Sequence, residues 1–128
     1  MMKQAINHVS GAPQPVGPYS QAVRVGQFLF LAGQTGADPA TGKIEGDVKA
    51  QTERAMESVG AILASQGLDF SHVVKSLVFL TDMNDLATVN EIYGRRFKGD
   101  RPAKSCVAVA SLPKGGKVEI DVVAAFPS

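Results

Sequence analysis

The sequence predicts an α+β fold in which two helices pack on one face of a mixed β-sheet. Three observations lead there. Short β-rich runs recur at residues 22–25, 28–32, 73–80, 103–110 and 118–123, two longer segments carry apolar residues at helical spacing, and Gly/Pro-rich turns separate them. The 128 residues have the length of one ordinary domain, with 45% hydrophobic and 20% charged content, far from a disordered composition. With no repeat or low-complexity linker, residues 1–128 read as a single domain.

Taken in order, residues 11–18 (Gly-Ala-Pro-Gln-Pro-Val-Gly-Pro) form a rigid, non-regular lead-in, because each proline fixes φ and removes a donor. Ala22 to Val25 and Phe28 to Ala32 are strand runs separated by Gly26-Gln27, a pair suited to a tight hairpin of the II′ kind. Phe28 to Leu31 is apolar on both faces, so this strand should be covered twice. Gly33 to Gly36 and Asp38 to Gly42 are turn chemistry. Asp47 is the N-cap of the first helix; Val48, Thr52, Ala55, Met56, Val59, Ile62 and Leu63 form its stripe and Gly67 stops it. Val73 to Leu80 is a strand. The second helix starts near Asp82 or Asn84, with Leu86, Val89, Ile92, Tyr93 and Phe97 inward.

The last two strands flank a Pro/Gly turn. Val107, Val109, Val118, Ile120, Val122 and Ala124 are expected on one face, and the opposite phase is still Ala-, Cys- and Val-containing. Two helices cover only one face, so an apolar second face implies self-association. Each run also carries a charge, Lys104 in the first and Glu119 in the second. Charge placed on a sheet is costly unless it is paired or used.

Net charge of +1 supplies no global field for nucleic acid. The one cysteine, Cys106, cannot form an internal disulfide, and residues 1–8 lack the apolar core of a secretory signal, so a cytoplasmic protein is expected. Nothing suggests a membrane partner. Two histidines, His8 and His72, with one cysteine give no metal spacing, and neither a P-loop nor a strand-linked dinucleotide glycine motif is present. The basic cluster Arg95, Arg96, Lys98 and Arg101 reads as a solvated helix end.

Several segments, in order along the chain, resemble the reactive-intermediate deaminases, the Rid, YjgF or UK114 family also labelled L-PSP endoribonucleases. They are Gly17-Pro18-Tyr19-Ser20-Gln21-Ala22, Ala32-Gly33-Gln34, Val74 to Met83, Val89-Asn90-Glu91-Ile92-Tyr93, Pro102-Ala103-Lys104-Ser105-Cys106, Leu112-Pro113-Lys114 and Val118-Glu119-Ile120. The resemblance implies a chorismate-mutase-like fold: a six-stranded mixed sheet with two helices on one face, in a homotrimer with a central barrel and inter-subunit clefts. It implies cofactor-free hydrolysis of 2-iminobutanoate and 2-iminopropanoate to 2-keto acids and ammonia. Carried over position by position, Tyr19 is the cleft tyrosine and Glu119 the glutamate that activates water; Gly33 and Cys106 line the ligand through their backbones. Two positions depart from the family. Lys104 stands where the carboxylate-binding arginine belongs, and Ala32 replaces a common serine.

Such chemistry needs a cation to anchor a carboxylate and a base beside a water. Lysine is a point charge on a flexible stem rather than a planar fork, so Lys104 should bind a carboxylate more weakly, by about 1–3 kcal/mol, and with less orientation. On the residues alone, Lys104 could equally be a solvated strand-start lysine, Glu119 or Asp121 an exposed-face carboxylate, Tyr19 a turn tyrosine and Cys106 a small core residue. Were the last two strands a hairpin, Lys104 and Glu119 would lie roughly 17 Å apart, so a common site would need two chains. Alternatives are a trimeric small-carboxylate binding protein without turnover, or an RNA-cleaving inhibitor of translation. Nucleic acid is the less favoured partner because the net charge is small and no histidine pair offers general acid and base.

Overall fold

The computed structural model describes residues 2–128. Its strands are β1 (Gln4–Ile6), β2 (Ala22–Val25), β3 (Phe28–Leu31), β4 (Gln34–Thr35), β5 (Val73–Leu80), β6 (Ala103–Ala108) and β7 (Val118–Ala125), and its helices are α1 (Val48–Ser65) and α2 (Leu86–Gly94). Sheet order is β1-β2-β3-β7-β5-β6, with β4 added beside β7. All pairings are antiparallel except β5 with β6, which α2 joins by a crossover. This is the expected α+β class with a mixed sheet. The sheet has seven strands where six were expected; five match the runs read from the sequence, and the other two, the three-residue β1 and two-residue β4, are too short to show a period.

The local signals of the sequence hold at α1 and at the first hairpin. Asp47 accepts a hydrogen bond from the Ala50 amide at 2.9 Å, capping α1, and Gly67 (φ 72°) follows its end. Gly26 (φ 59°) makes the β2–β3 turn, and Gln27 keeps φ negative, as a II′ turn requires. A short 3-10 turn, Met83–Asp85, precedes α2 and is capped by Asp82. Phe97 lies beyond the end of α2 yet stays buried, 4.7 Å between ring centroids from Tyr93.

One face of the sheet carries the core. Leu29, Val78, Leu80, Val118, Ile120, Val122 and Ala124 pack against Met56, Val59, Ile62, Leu63, Val89 and Tyr93 of the helices. The other face has no layer over it in the chain. Phe28, Phe30 and Val107 are 46%, 45% and 43% exposed there. The strand expected to be covered twice is thus covered once, and Phe28 and Phe30 are left outward by its alternation.

Two expectations for the C-terminal strands need correction. They do not form a hairpin; β5 lies between them. Val107 does not share a face with Val118, Ile120 and Val122. It pairs with Phe79 of β5, which pairs in turn with Glu119, so Val107 faces the open side, and Val109 follows the end of β6. The sequence pattern did not reveal the register because the parallel crossover, not the Pro/Gly turn, sets the phase of β6.

Candidate functional site

A cleft of about 300 Å³ opens at the end of β7 where β4 pairs with it. Tyr19, Gly33 and Glu119, three of the residues singled out from the sequence, line it together. Pro13, Gln21, Gly42 and Lys114 are also in its walls.

Each wall has a physical cause. Glu119 alternates with buried Val118 and Ile120, so it projects from the face opposite the helices, opposite Thr35 on one side and Phe79 on the other. Burial, and then the charge of Asp121 two residues on, hold the Glu119 carboxyl above the usual carboxylate range. Burial raises Asp121 as well. Gly33 is required for this packing. A Cβ there would come within 2.7 Å of Glu119 Oε2. The carboxylate therefore lies directly against the backbone of the loop between β3 and β4. That loop is pinned from behind, because a Cβ on Gly36 would meet the Gln51 backbone of α1 at 2.7 Å. Gln51 also accepts from the Lys117 amide at 2.8 Å, tying α1 to the start of β7.

The proline-rich lead-in is held by Gln21, which is 1% exposed. Its Oε1 accepts from the Val9 amide at 2.9 Å and its Nε2 donates to the Pro13 carbonyl at 2.9 Å. The segment bearing Tyr19 is thereby fastened over the cleft, with the Tyr19 ring half exposed. Gln21 belongs to the Gly-Pro-Tyr-Ser-Gln-Ala motif, but a fully satisfied buried amide between two loops leaves no periodic signal that would reveal its role.

On the far wall, Asp38 organises the turn at 38–44. It accepts from the Ala40 and Thr41 amides at 2.8 and 3.0 Å and from Arg54 Nη1 at 2.7 Å. The amide hydrogen bonds, Thr41 first, hold its carboxyl below the usual range, and Arg54 adds to them. Lys114 reaches across from the turn before β7, and its Nζ donates to the Gly42 carbonyl at 3.1 Å.

Lys104, Cys106 and Ala32 are not part of this cleft within the chain. Lys104 projects from β6 toward α2, where its ammonium donates to Asn90 Oδ1 and lies 5.2 Å from the centre of the Tyr93 ring. Cys106, two residues on, packs against the core. Glu119 and Lys104 thus occupy opposite faces of the sheet, two strands apart. Ala32 serves through its backbone, donating to the Gln21 carbonyl at 2.9 Å and accepting from Gln34 Nε2 at 3.2 Å. Among the described residues no cluster of His, Cys, Asp or Glu could hold a metal ion, and no helix is long and apolar enough to cross a membrane.

Comparison with known proteins places the chain in a family. The family sequence model described as Endoribonuclease L-PSP matches residues 9–126. Protein DfrA of Myxococcus xanthus is 55% identical over 127 residues, 97% of this chain and 96% of that protein. The 2-iminobutanoate/2-iminopropanoate deaminase of Mus musculus is 46% identical over 114 residues, 88% of this chain and 84% of that protein. Among solved structures, E. coli TdcF with bound serine superposes with a TM-score of 0.91 at 40% identity, covering 97% of this chain and 100% of that one. RidA of the Antarctic bacterium Psychrobacter sp. PAMC 21119 gives 0.91 at 41% identity, over 96% and 99%. Together with the fold, these matches show that the chain belongs to the Rid/YjgF family, the L-PSP endoribonuclease group.

Proposed function

We propose that the protein is a deaminase of small 2-imino acids, converting 2-iminobutanoate or 2-iminopropanoate and one water to the 2-keto acid and ammonia. The observation that carries this reading is the Glu119 carboxyl, half-buried, held above its ordinary range and seated against the Gly33 backbone in the cleft. A carboxylate of raised basicity is a competent base for water. Glu119 takes a proton as the water oxygen bonds to the imine carbon, the nitrogen is protonated, and the carbinolamine collapses with loss of ammonia. No cofactor enters the balance. The mammalian relatives named for this activity support the assignment.

The working unit is a homotrimer of this one domain. The open apolar face of Phe28, Phe30 and Val107 is what such an assembly would bury around a central barrel. Lys104, at the free edge of the sheet and turned away from its own Glu119, serves the cleft of a neighbouring copy, and Asn90 orients it there. Cys106, on the same strand, lines that neighbouring cleft through its backbone. Tyr19 closes the cleft over the ligand from the Glu119 side.

The test is a coupled assay. Threonine dehydratase and threonine generate the imine, and 2-ketobutyrate formation is followed as this protein is added. The protein should accelerate product formation, and Glu119→Gln should not. A second reading rests on the lysine at position 104: a trimer that holds 2-keto acids without turnover. Acceleration by Lys104→Arg with none by the unaltered protein would favour that reading.

A further inference from the structure

The cleft contains a cation outside the residues whose roles the family resemblance implies. Among the described residues lining it, Lys114 is the basic side chain and Glu119 the acidic one. Lys114 sits in the Pro-Lys-Gly-Gly turn before β7 with φ 55°, in the left-handed region; among the described residues only His8 shares that geometry without being glycine. A lysine there costs roughly 1–2 kcal/mol relative to glycine. The following Gly115, at φ 72°, shows the inexpensive choice for such a turn. The strained backbone directs the Lys114 side chain over the cleft to Gly42, 72 residues away in sequence, where its ammonium donates to a carbonyl at 3.1 Å. A carbonyl satisfies one of three N–H groups and leaves the charge without a counter-ion. Lys104 differs in each respect, since it faces the helices and is engaged by Asn90 and Tyr93.

We propose that Lys114 is a second attachment point for the substrate carboxylate, so that two lysines do the work of one guanidinium fork. This rests on the deaminase reading, in which Lys104 of a neighbouring copy enters the same cleft. A planar fork contacts both oxygens of a carboxylate at once; a single ammonium contacts it as a point. One ammonium from each side of the cleft, each on its own oxygen, restores both anchoring and orientation. Lys114 lines the same cleft as Glu119, so a carboxylate held by Lys114 keeps the imine carbon within the space that the base faces. The ligand class that follows is a short 2-imino or 2-keto acid whose carboxylate is ionised.

The experiment is calorimetric titration of the assembled protein with 2-ketobutyrate, the product of the proposed reaction. Lys114→Gly relieves the backbone strain, so its melting temperature should equal or exceed that of the unaltered protein. Its Kd should nevertheless rise about ten- to a hundredfold, the range for losing one charged hydrogen bond. Lys114→Arg should retain binding, and Lys104→Arg combined with Lys114→Gly should recover most of it, because the fork then makes the second lysine dispensable. An unchanged Kd for Lys114→Gly overturns the assignment of Lys114 alone. Failure of the double variant to improve on Lys114→Gly overturns the shared-fork account. Absence of 2-ketobutyrate binding by the unaltered protein overturns the deaminase reading as well, and is distinguished by the first titration.

Discussion

The two faces of the sheet are built from alternate residues of the same strands and follow different rules. On the helix side of β7, Val118, Ile120, Val122 and Ala124 are at most 1% exposed, and their only demand is close packing. On the other side, Glu119 and Asp121 are half-buried carboxyls with raised proton affinity, and further along the same face Phe28 and Phe30 of β3 are exposed beside Ala125 and Val123. That second face is poor for the stability of a lone chain. Its charged groups are desolvated without partners and its aromatics have nothing over them. Stability resides on the first face, and the proposed chemistry and assembly belong to the second. Residues one apart should therefore respond to substitution in opposite ways.

The largest contrast in stability is expected within one strand. Ile120→Ala empties a fully buried site and should cost about 2–5 kcal/mol, read as a large fall in denaturation midpoint. Glu119→Gln should leave thermal stability equal or higher while removing turnover. The linkage has a definite sign. Because the folded-state proton affinity of Glu119 is raised, the native chain binds more protons than the unfolded one between the unfolded value near 4.5 and the raised value. Stability contributed by Glu119 is thus present at low pH and lost as pH rises through that window. Replacement by glutamine removes this loss.

On the open face, Phe30→Ser should retain the circular-dichroism spectrum of the chain but lower its mass in sedimentation from trimer to monomer, with activity lost alongside. A substitution that dissociated the assembly yet preserved turnover would separate chemistry from assembly and break the contrast drawn here. A smaller effect is expected of Gly33→Ala. Its Cβ would displace the Glu119 carboxyl, so kcat should fall while the fold persists, because the clash is with a side chain at the surface of the cleft.

The smallest effect concerns pH. Glu119 acts as a base only when ionised, so kcat should fall on the acid side at a pH above that of an ordinary glutamate. Asp121→Asn removes the second cause of the shift and should move that limb toward lower pH. Burial, the first cause, remains. An acid limb unaffected by Asp121→Asn would show that the two carboxyls do not sense each other.

Elements whose information is local were readable from the chain itself. Asp47, Gly67 and Gly26 mark their boundaries by backbone chemistry that any context preserves. The apolar stripes of α1 and α2, and the unpartnered sheet face, followed from periodicity. The phase of Val107 did not, because register in a parallel pair is set by a crossover helix rather than by neighbours in sequence. Tyr19, Gly33 and Glu119 were recognisable as cleft residues by resemblance, and the fold brings them together. Gln21 and Lys114 act through contacts 8 to 72 residues distant, which no spacing rule conveys. Lys104 was readable as a departure from the family, whereas its position on the opposite face from Glu119 required the sheet order.

That separation of Lys104 from Glu119 is tested most directly by subunit complementation. Glu119→Gln and Lys104→Ala are each expected to be inactive alone. Dissociated, mixed in equal amounts and reassembled, they should regain activity, since a cleft drawing Glu119 from one chain and Lys104 from the next is intact in about one quarter of cases in a randomly mixed ring. A mixture as inactive as its parents, with exchange verified by mass, would mean that both residues serve the same chain, and would contradict the site proposed here.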